Sequence, residues 1–340
     1  MKIKYWLIGI LFLPMALMAQ QKDLTLQDLI PGGKNYAKFV PKNLSQLQWN
    51  GDAYLYAKGD TVWTSEAPKW KKSVLLTKAG LNEALEAAGQ KKVGSLPRFS
   101  VPYAGQSLLS FMANKHLYHY DYATKKIVAD YTLQPKWENY DFCPENRYLA
   151  FTEGNNLKIL SPENQVTDVT NETADGIVCG QSVHQNEFGI HKGTFWSPKG
   201  SALAFYRMDE SMVTEYPIVN IDARCAKVEP RRYPMAGMKS HHVTVGVYQL
   251  ETGKTIWLKT GTPKEKFLTN ISWSPDEQHI YIAELNREQN EMNLVCYSAV
   301  TGQKEGVLFT EKDEHYVEPQ HPLLFLPNQP DQFIWQSERD

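Results

Sequence analysis

Residues 194–205 read TFWSPKGSALAF, residues 271–283 read ISWSPDEQHIYIA, and residues 140–151 read YDFCPENRYLAF. In each, an aromatic residue is followed by a small residue, a proline, a turn and an apolar run. Proline fixes φ, and Gly, Asn or Asp favours the turn that follows. The run beyond it alternates or is continuously apolar, as a strand requires. Aligned on the aromatic position, Trp49, Phe99, Phe142, Trp196, Trp273 and Phe325 recur at intervals of 50, 43, 54, 77 and 52 residues. Self-similarity at this period, with several short strands per unit, predicts a β-propeller. The expected unit is a four-stranded antiparallel blade that buries its faces only by stacking on its neighbours. The aromatic residue is expected to pack between adjacent blades.

Two stretches break the period. The long interval contains residues 207–242, rich in charge and proline, and reads as an insertion carried on a loop. Residues 71–94 include AGLNEALEAAG, whose composition predicts a short helix on the rim. Five blades count as complete and a sixth as begun. The chain stops just after the apolar FIWQSERD, which suggests a truncated propeller within a longer protein.

The totals fit an exported globular protein. The chain has 340 residues, Lys+Arg 36 against Asp+Glu 38, and a formal net charge of −2. Nothing there marks a nucleic-acid footprint. Lys2 and Lys4 precede an uncharged apolar stretch over residues 5–18, too short to span ~30 Å of hydrocarbon. Residues 1–19 therefore read as a signal peptide, with an uncleaved anchor as the alternative. Export to the periplasm or beyond is expected. Residues 20–43 read as an N-terminal segment and 44–340 as the partial propeller. Cys143, Cys179, Cys225 and Cys296 match no zinc spacing, so buried thiols and one or two disulfides both stay open.

Motifs for chemistry are sparse. GQSLLS at 105–110 and GQSVH at 180–184 lack the second glycine of a hydrolase elbow. No HExxH, P-loop or GxGxxG occurs, and no cofactor or metal is called for. His241 and His242 are adjacent and so face opposite sides of a strand. Residues 313–319, DEHYVEP, read as a solvated loop between blades. The exception is GQSVHQNEFGIHKG, residues 180–193. Val183, Phe188 and Ile190 are placed to anchor this loop while Gln185, Asn186 and Glu187 project. A projecting carboxylate suits an α-ammonium group.

Four segments in order carry a family resemblance: VHQNEFGIHKGTFWSPKGSALAFYRMDESMV, YPMAGMKSHHVTVGVYQLETGKT, LTNISWSPDEQHIYIAELNREQN and the terminal FIWQSERD. From about residue 25 onward the chain resembles the N-terminal propeller of the dipeptidyl peptidase IV family, serine exopeptidases of the prolyl oligopeptidase superfamily. The resemblance implies an eight-bladed propeller, of which five to six blades are present. It also implies release of short peptides from polypeptide N-termini, typically after proline. A C-terminal α/β-hydrolase domain would supply the Ser, Asp and His, leaving this chain alone inactive. Family dipeptidyl peptidases carry two adjacent glutamates that grip the substrate amine. Asn186 and Glu187 stand at those positions, so Glu187 is the implied anchor, with Gln185 and Asn186 as neighbouring contacts. With one carboxylate, a prolyl tripeptidyl peptidase is as well matched as a dipeptidyl one. Lys126 falls near a substrate-contacting arginine of some relatives. A homodimer is compatible with this reading. The contrasting reading is a periplasmic, non-catalytic TolB-like propeller that binds proteins.

Overall fold

A computed structural model of the chain describes residues 23–41, 43–327 and 329–337. The expected signal peptide and the last three residues lie outside that set. The described residues fall into two units, divided between Ser45 and Gln46. Within the first, a short helix Leu26–Leu29 is held at its start by Asp28, whose carboxylate accepts from the amide and hydroxyl of Thr25 at 2.9 and 2.7 Å.

The second unit is a succession of antiparallel sheets in chain order, as a propeller requires. The first blade runs through strands Ser45–Asn50, Ala53–Lys58, Thr61–Glu66 and Lys71–Thr77. The second contains Phe99–Ser100, Leu108–Ala113, His116–Asp121 and Lys126–Thr132, and the third Trp137–Phe142, Leu149–Glu153, Asn156–Leu160 and Val166–Asp168. The fifth contains Phe267–Trp273, His279–Leu285, Glu291–Ser298 and Lys304–Lys312. A hairpin of Leu324–Leu326 with Gln329–Ile334 begins the sixth. The helix expected after the first blade is Lys78–Ala87, capped by Thr77 Oγ1 and burying Leu81, Ala84 and Leu85. All four cysteines are free thiols; Cys225 is exposed and the other three are buried.

The repeated aromatic reaches back to the preceding blade. Trp196 Nε1 donates to Asp141 O at 3.0 Å, and Trp273 Nε1 donates to Phe195 O at 2.9 Å. Phe142 packs edge-on against His119 of the second blade, with centroids 4.3 Å apart. Trp49 belongs to the first blade and is 67% exposed.

The turns after the aromatic residues join the blades as well. Asn50 bonds Gly105 N and Gln106 O, and the Tyr103 hydroxyl donates to Pro144 O. Asn146 Nδ2 donates to Gly200 O, and Glu277 accepts from Lys199 N and Ser201 Oγ. A belt of turn-to-turn hydrogen bonds thus runs through five consecutive blades. The repeat persists along the chain because each copy must fit the copy before it.

The fourth blade departs from the pattern in two places. Its innermost position is filled by two short strands, Ile177–Cys179 and Thr194–Trp196, both paired with Ala202–Asp209. That central strand pairs with His242–Gln249, which pairs with Lys254–Trp257. Between the central pair, the insertion folds into a projecting hairpin of Glu215–Asn220 and Lys227–Arg232. Arg232 ties its base down, bonding Asp175 at 2.6 Å and the carbonyls of Ser211 and Val213 at 3.2 Å.

Candidate functional site

The gap in the innermost strand of the fourth blade is the loop 180–193. Its two end glycines meet on one residue: Gly180 N donates to Tyr206 O at 2.9 Å, and Tyr206 N donates to Gly193 O at 3.0 Å. A Cβ on Gly193 would lie 2.2 Å from Gln181 O, so only glycine closes the neck. The result is a compact Ω-loop standing out from a rigid sheet. Val183, Phe188 and Ile190 are buried, while Gln185, Asn186 and Glu187 are exposed.

The loop is held in a costly conformation. His184, Gln185, Asn186 and Phe188 have φ of 54°, 56°, 63° and 55°. For residues bearing a Cβ, each such angle costs about 1–2 kcal/mol. Strain of this kind persists where surrounding contacts over-determine it, commonly at ligand-binding sites. Here the over-determining contacts are visible. Phe188 packs against Phe267, with centroids 5.0 Å apart. A Cβ on Gly189 would lie 2.0 Å from Gln320 O, so the chain crosses the backbone there at a distance only glycine permits.

His184 supplies the firmest anchor. Leu268 N donates to its Nε2 at 3.2 Å, which places the ring proton on Nδ1. Nδ1–H then donates to His241 Nε2 at 2.8 Å. Both imidazoles are neutral. Burial holds His184 well below the ordinary range, helped by His241. His241 is lowered to about 4 by burial first, then by the nearby Arg287 guanidinium and the His242 side chain. The adjacent pair in sequence, His241 and His242, is thus less informative than a pair 57 residues apart.

These groups border a cavity of about 200 Å3 lined by Gln185, Glu187, Tyr233, His241, Arg287 and Gln289, among others. The loop furnishes one wall, and the segment that follows the returning strand of the insertion, through Tyr233, Pro234, Ser240 and His241, another. Arg287 is already neutralised, bonding Glu265 Oε2 at 3.1 Å and Met238 O at 3.0 Å. Glu265 also accepts from Ser240 N at 3.0 Å. The Glu187 carboxylate has no hydrogen-bond or ion-pair partner among the described residues; its backbone is fixed, by Glu187 N to His184 O at 3.0 Å and Ile190 N to Glu187 O at 3.1 Å. An unpaired carboxylate beside a paired arginine leaves the cavity with unfilled capacity for a cation. The surrounding amides and hydroxyls can accept or donate around it.

Of the four residues read from the sequence, Gln185 and Glu187 line this cavity together. Asn186 is exposed on the same turn but is not among the lining residues. Lys126 lies on the second blade, opposite Asp121 at the start of an outer strand, and is not a lining residue either. His184, Arg287, Tyr233 and Phe267 were not anticipated. His184 lies within the loop, whereas Arg287, Tyr233 and Phe267 come from distant segments that only the fold brings beside it.

Comparison with known proteins gives a consistent result. The family described as the dipeptidyl peptidase IV N-terminal region matches residues 106–340. A Phaeosphaeria nodorum protein provisionally named dipeptidyl-aminopeptidase B is 26% identical over 210 residues, covering 55% of this chain and 23% of the relative. Its Talaromyces marneffei counterpart is 24% identical over 243 residues, covering 65% of this chain and 27% of the relative. The chain therefore spans about a quarter of the length of these relatives. The crystal structure of a Bacteroides ovatus protein provisionally named dipeptidyl aminopeptidase IV superposes with a TM-score of 0.83 at 45% identity, over 94% of this chain and 44% of that one. Porphyromonas gingivalis dipeptidyl peptidase 4 shares the fold at 19% identity, with a TM-score of 0.72 over 94% of this chain and 46% of that one.

Proposed function

The chain belongs to the dipeptidyl peptidase IV N-terminal region family, and from that premise we propose that it is the substrate-selecting propeller of an exported serine exopeptidase. In this reading an α/β-hydrolase domain elsewhere in the full protein carries the nucleophile and its base. The propeller restricts access to that domain and holds the free N-terminus of the peptide. The observation that supports this most directly is the unpaired Glu187 carboxylate on an over-determined loop, bordering a polar cavity.

The chemistry follows from that placement. An α-ammonium group entering the cavity makes charge-assisted hydrogen bonds to Glu187, the unpaired carboxylate of its lining. Arg287, held by Glu265, stays out of competition for that carboxylate. A rigid anchor for the amine sets how many residues reach the nucleophile, so two or three are released, typically after proline. With Asn186 beside Glu187 in place of a second glutamate, both product lengths remain within reach of one carboxylate. Positioning of this kind acts at the transition state, and misplacement by about 1 Å can cost on the order of 10²-fold in rate.

Replacing Glu187 with Ala in the full-length enzyme tests the assignment. Expected is a fall in kcat/KM for free-amine peptides on the order of 10²-fold, with an unchanged melting temperature because the side chain is exposed. An unchanged kcat/KM sinks the assigned role.

A further inference from the structure

We propose that the fifth blade carries a divalent transition-metal site, suited to Zn²⁺, formed by His279 Nε2, Cys296 Sγ and Glu305 Oε2. These three atoms lie within 4.8 Å of one another. The imidazole and carboxylate approach to 3.1 Å, and the sulfur lies 3.9 Å from the same carboxylate oxygen. Around a tetrahedral zinc with ordinary bond lengths, the corresponding edges are about 3.3 Å for nitrogen to oxygen and about 3.6 Å for sulfur to oxygen. Two edges of the tetrahedron are therefore nearly in place. A small rotation of His279, which is partly exposed, closes the third, from its nitrogen to the sulfur.

The sheet itself builds this arrangement. Tyr281 stands directly opposite Cys296 and His279 opposite Ser298, so His279 and Cys296 share one face of the blade. On the outer strand the register shifts between Cys296 and Tyr297, whose partners are Gly306 and Lys304. Glu305 is the extra residue of that bulge. Bulges re-aim side chains, and this one brings a carboxylate to the face that holds the thiol. No sequence motif reports the site, because three neighbouring strands each give one ligand.

Further groups stand where an outer shell belongs. Asp276 Oδ1 lies 3.8 Å from His279 Nδ1, the ring nitrogen left over when Nε2 ligates. Asp276 is itself fixed by the Ser274 hydroxyl and by Gln278 N at 3.0 Å. Burial raises the Cys296 thiol above its ordinary range, and the Tyr281 hydroxyl beside the sulfur offsets part of that rise. A carboxylate behind a ligating histidine orients the ring and raises its basicity. Cys296 is 9% exposed, whereas the side chains of His279 and Glu305 are 33% and 45% exposed. The site thus has a protected sulfur and an open side on which water completes the coordination. Binding replaces the thiol proton, which leaves to solvent, and changes no oxidation state.

Cobalt(II) is the probe, because a thiolate ligand gives it a near-ultraviolet charge-transfer band and a tetrahedral site gives it intense visible bands. The full-length protein, reduced, freed of metal and carrying Cys225→Ser, is titrated with Co²⁺ and then with Zn²⁺. Expected is one equivalent that produces both sets of bands and is displaced by Zn²⁺. Cys296→Ala should abolish the charge-transfer band, His279→Asn should weaken Zn²⁺ affinity at least tenfold, and Asp276→Asn should weaken it on the order of tenfold. The exposed positions His279 and Glu305 keep the test open if Cys296→Ala fails to fold, since Glu305→Gln must also shift the visible bands. Absence of a thiolate band at saturating Co²⁺, or its survival in Cys296→Ala, would overturn the site and leave His279–Glu305 as a surface ion pair.

Discussion

At the scale of single residues, three buried histidines make a clear prediction about acid stability. His119 and His241 are each lowered to about 4, mainly by burial, and His184 is also lowered well below its ordinary range, by burial and by His241. A histidine whose folded pKa lies below its unfolded value near 6.5 binds fewer protons folded than unfolded between those limits. Stability is therefore full above pH 6.5, falls as the pH drops towards 4, and levels off below the folded values. A tenfold loss of proton affinity on folding corresponds to about 1.4 kcal/mol, so His119 and His241 together amount to several kcal/mol. The carboxylates Asp60, Asp121 and Asp276 are lowered by their hydrogen bonds and titrate below this window. Urea unfolding midpoints at pH 7.5 and pH 5 check the loss. His119→Asn should flatten the profile between them, and an unchanged slope would contradict the neutral assignment.

At the scale of elements, the loop 180–193 shows what was readable from the sequence. Its limits were legible because Gly180 and Gly193 bracket polar residues interrupted by Val183, Phe188 and Ile190. Those three are the residues that bury. The left-handed turn at 184–186 was not legible, since His, Gln and Asn carry no strong signal for positive φ in succession. Nor was the His184–His241 contact, which depends on where the insertion returns to the fourth blade. The propeller repeat lies at the other extreme, because each copy writes aromatic, proline and turn into contiguous residues. Glycine supplies the prediction here. Gly189 has φ of 72° and a hypothetical Cβ 2.0 Å from Gln320 O, so Gly189→Ala forces the loop off its seat. Expected is a destabilisation of about 2–4 kcal/mol, read as a lower melting temperature. Gly89, with φ of 73° and no neighbour within 4 Å, should lose only about 1 kcal/mol on the same change, through backbone strain alone.

At the scale of the whole molecule, the blades are joined by equivalent contacts, and the repeat can be tested by comparing its copies. Trp273→Phe and Trp196→Phe each remove a donor from a main-chain oxygen of the preceding blade, which should cost about 1–3 kcal/mol. Trp49→Phe should cost almost nothing, because its indole is mostly exposed. Equal losses at all three positions would mean that the aromatic residue does not work by docking backward. The same stacked frame fixes the base of the Glu187 loop, through Tyr206 in the fourth blade and Leu268 in the fifth. A rigid frame with one over-determined loop suits the proposed measuring of a peptide from its amino end. The central claim is best tested on the full-length protein, by initial rates on Gly-Pro and Ala-Ala-Pro anilides with free and N-acetylated amines. Cleavage of the free forms is expected at rates on the order of 10²-fold or more above the acetylated ones, with one peptide length preferred. Equal rates for free and acetylated substrates, or no cleavage by a well-folded full-length protein, would contradict that claim.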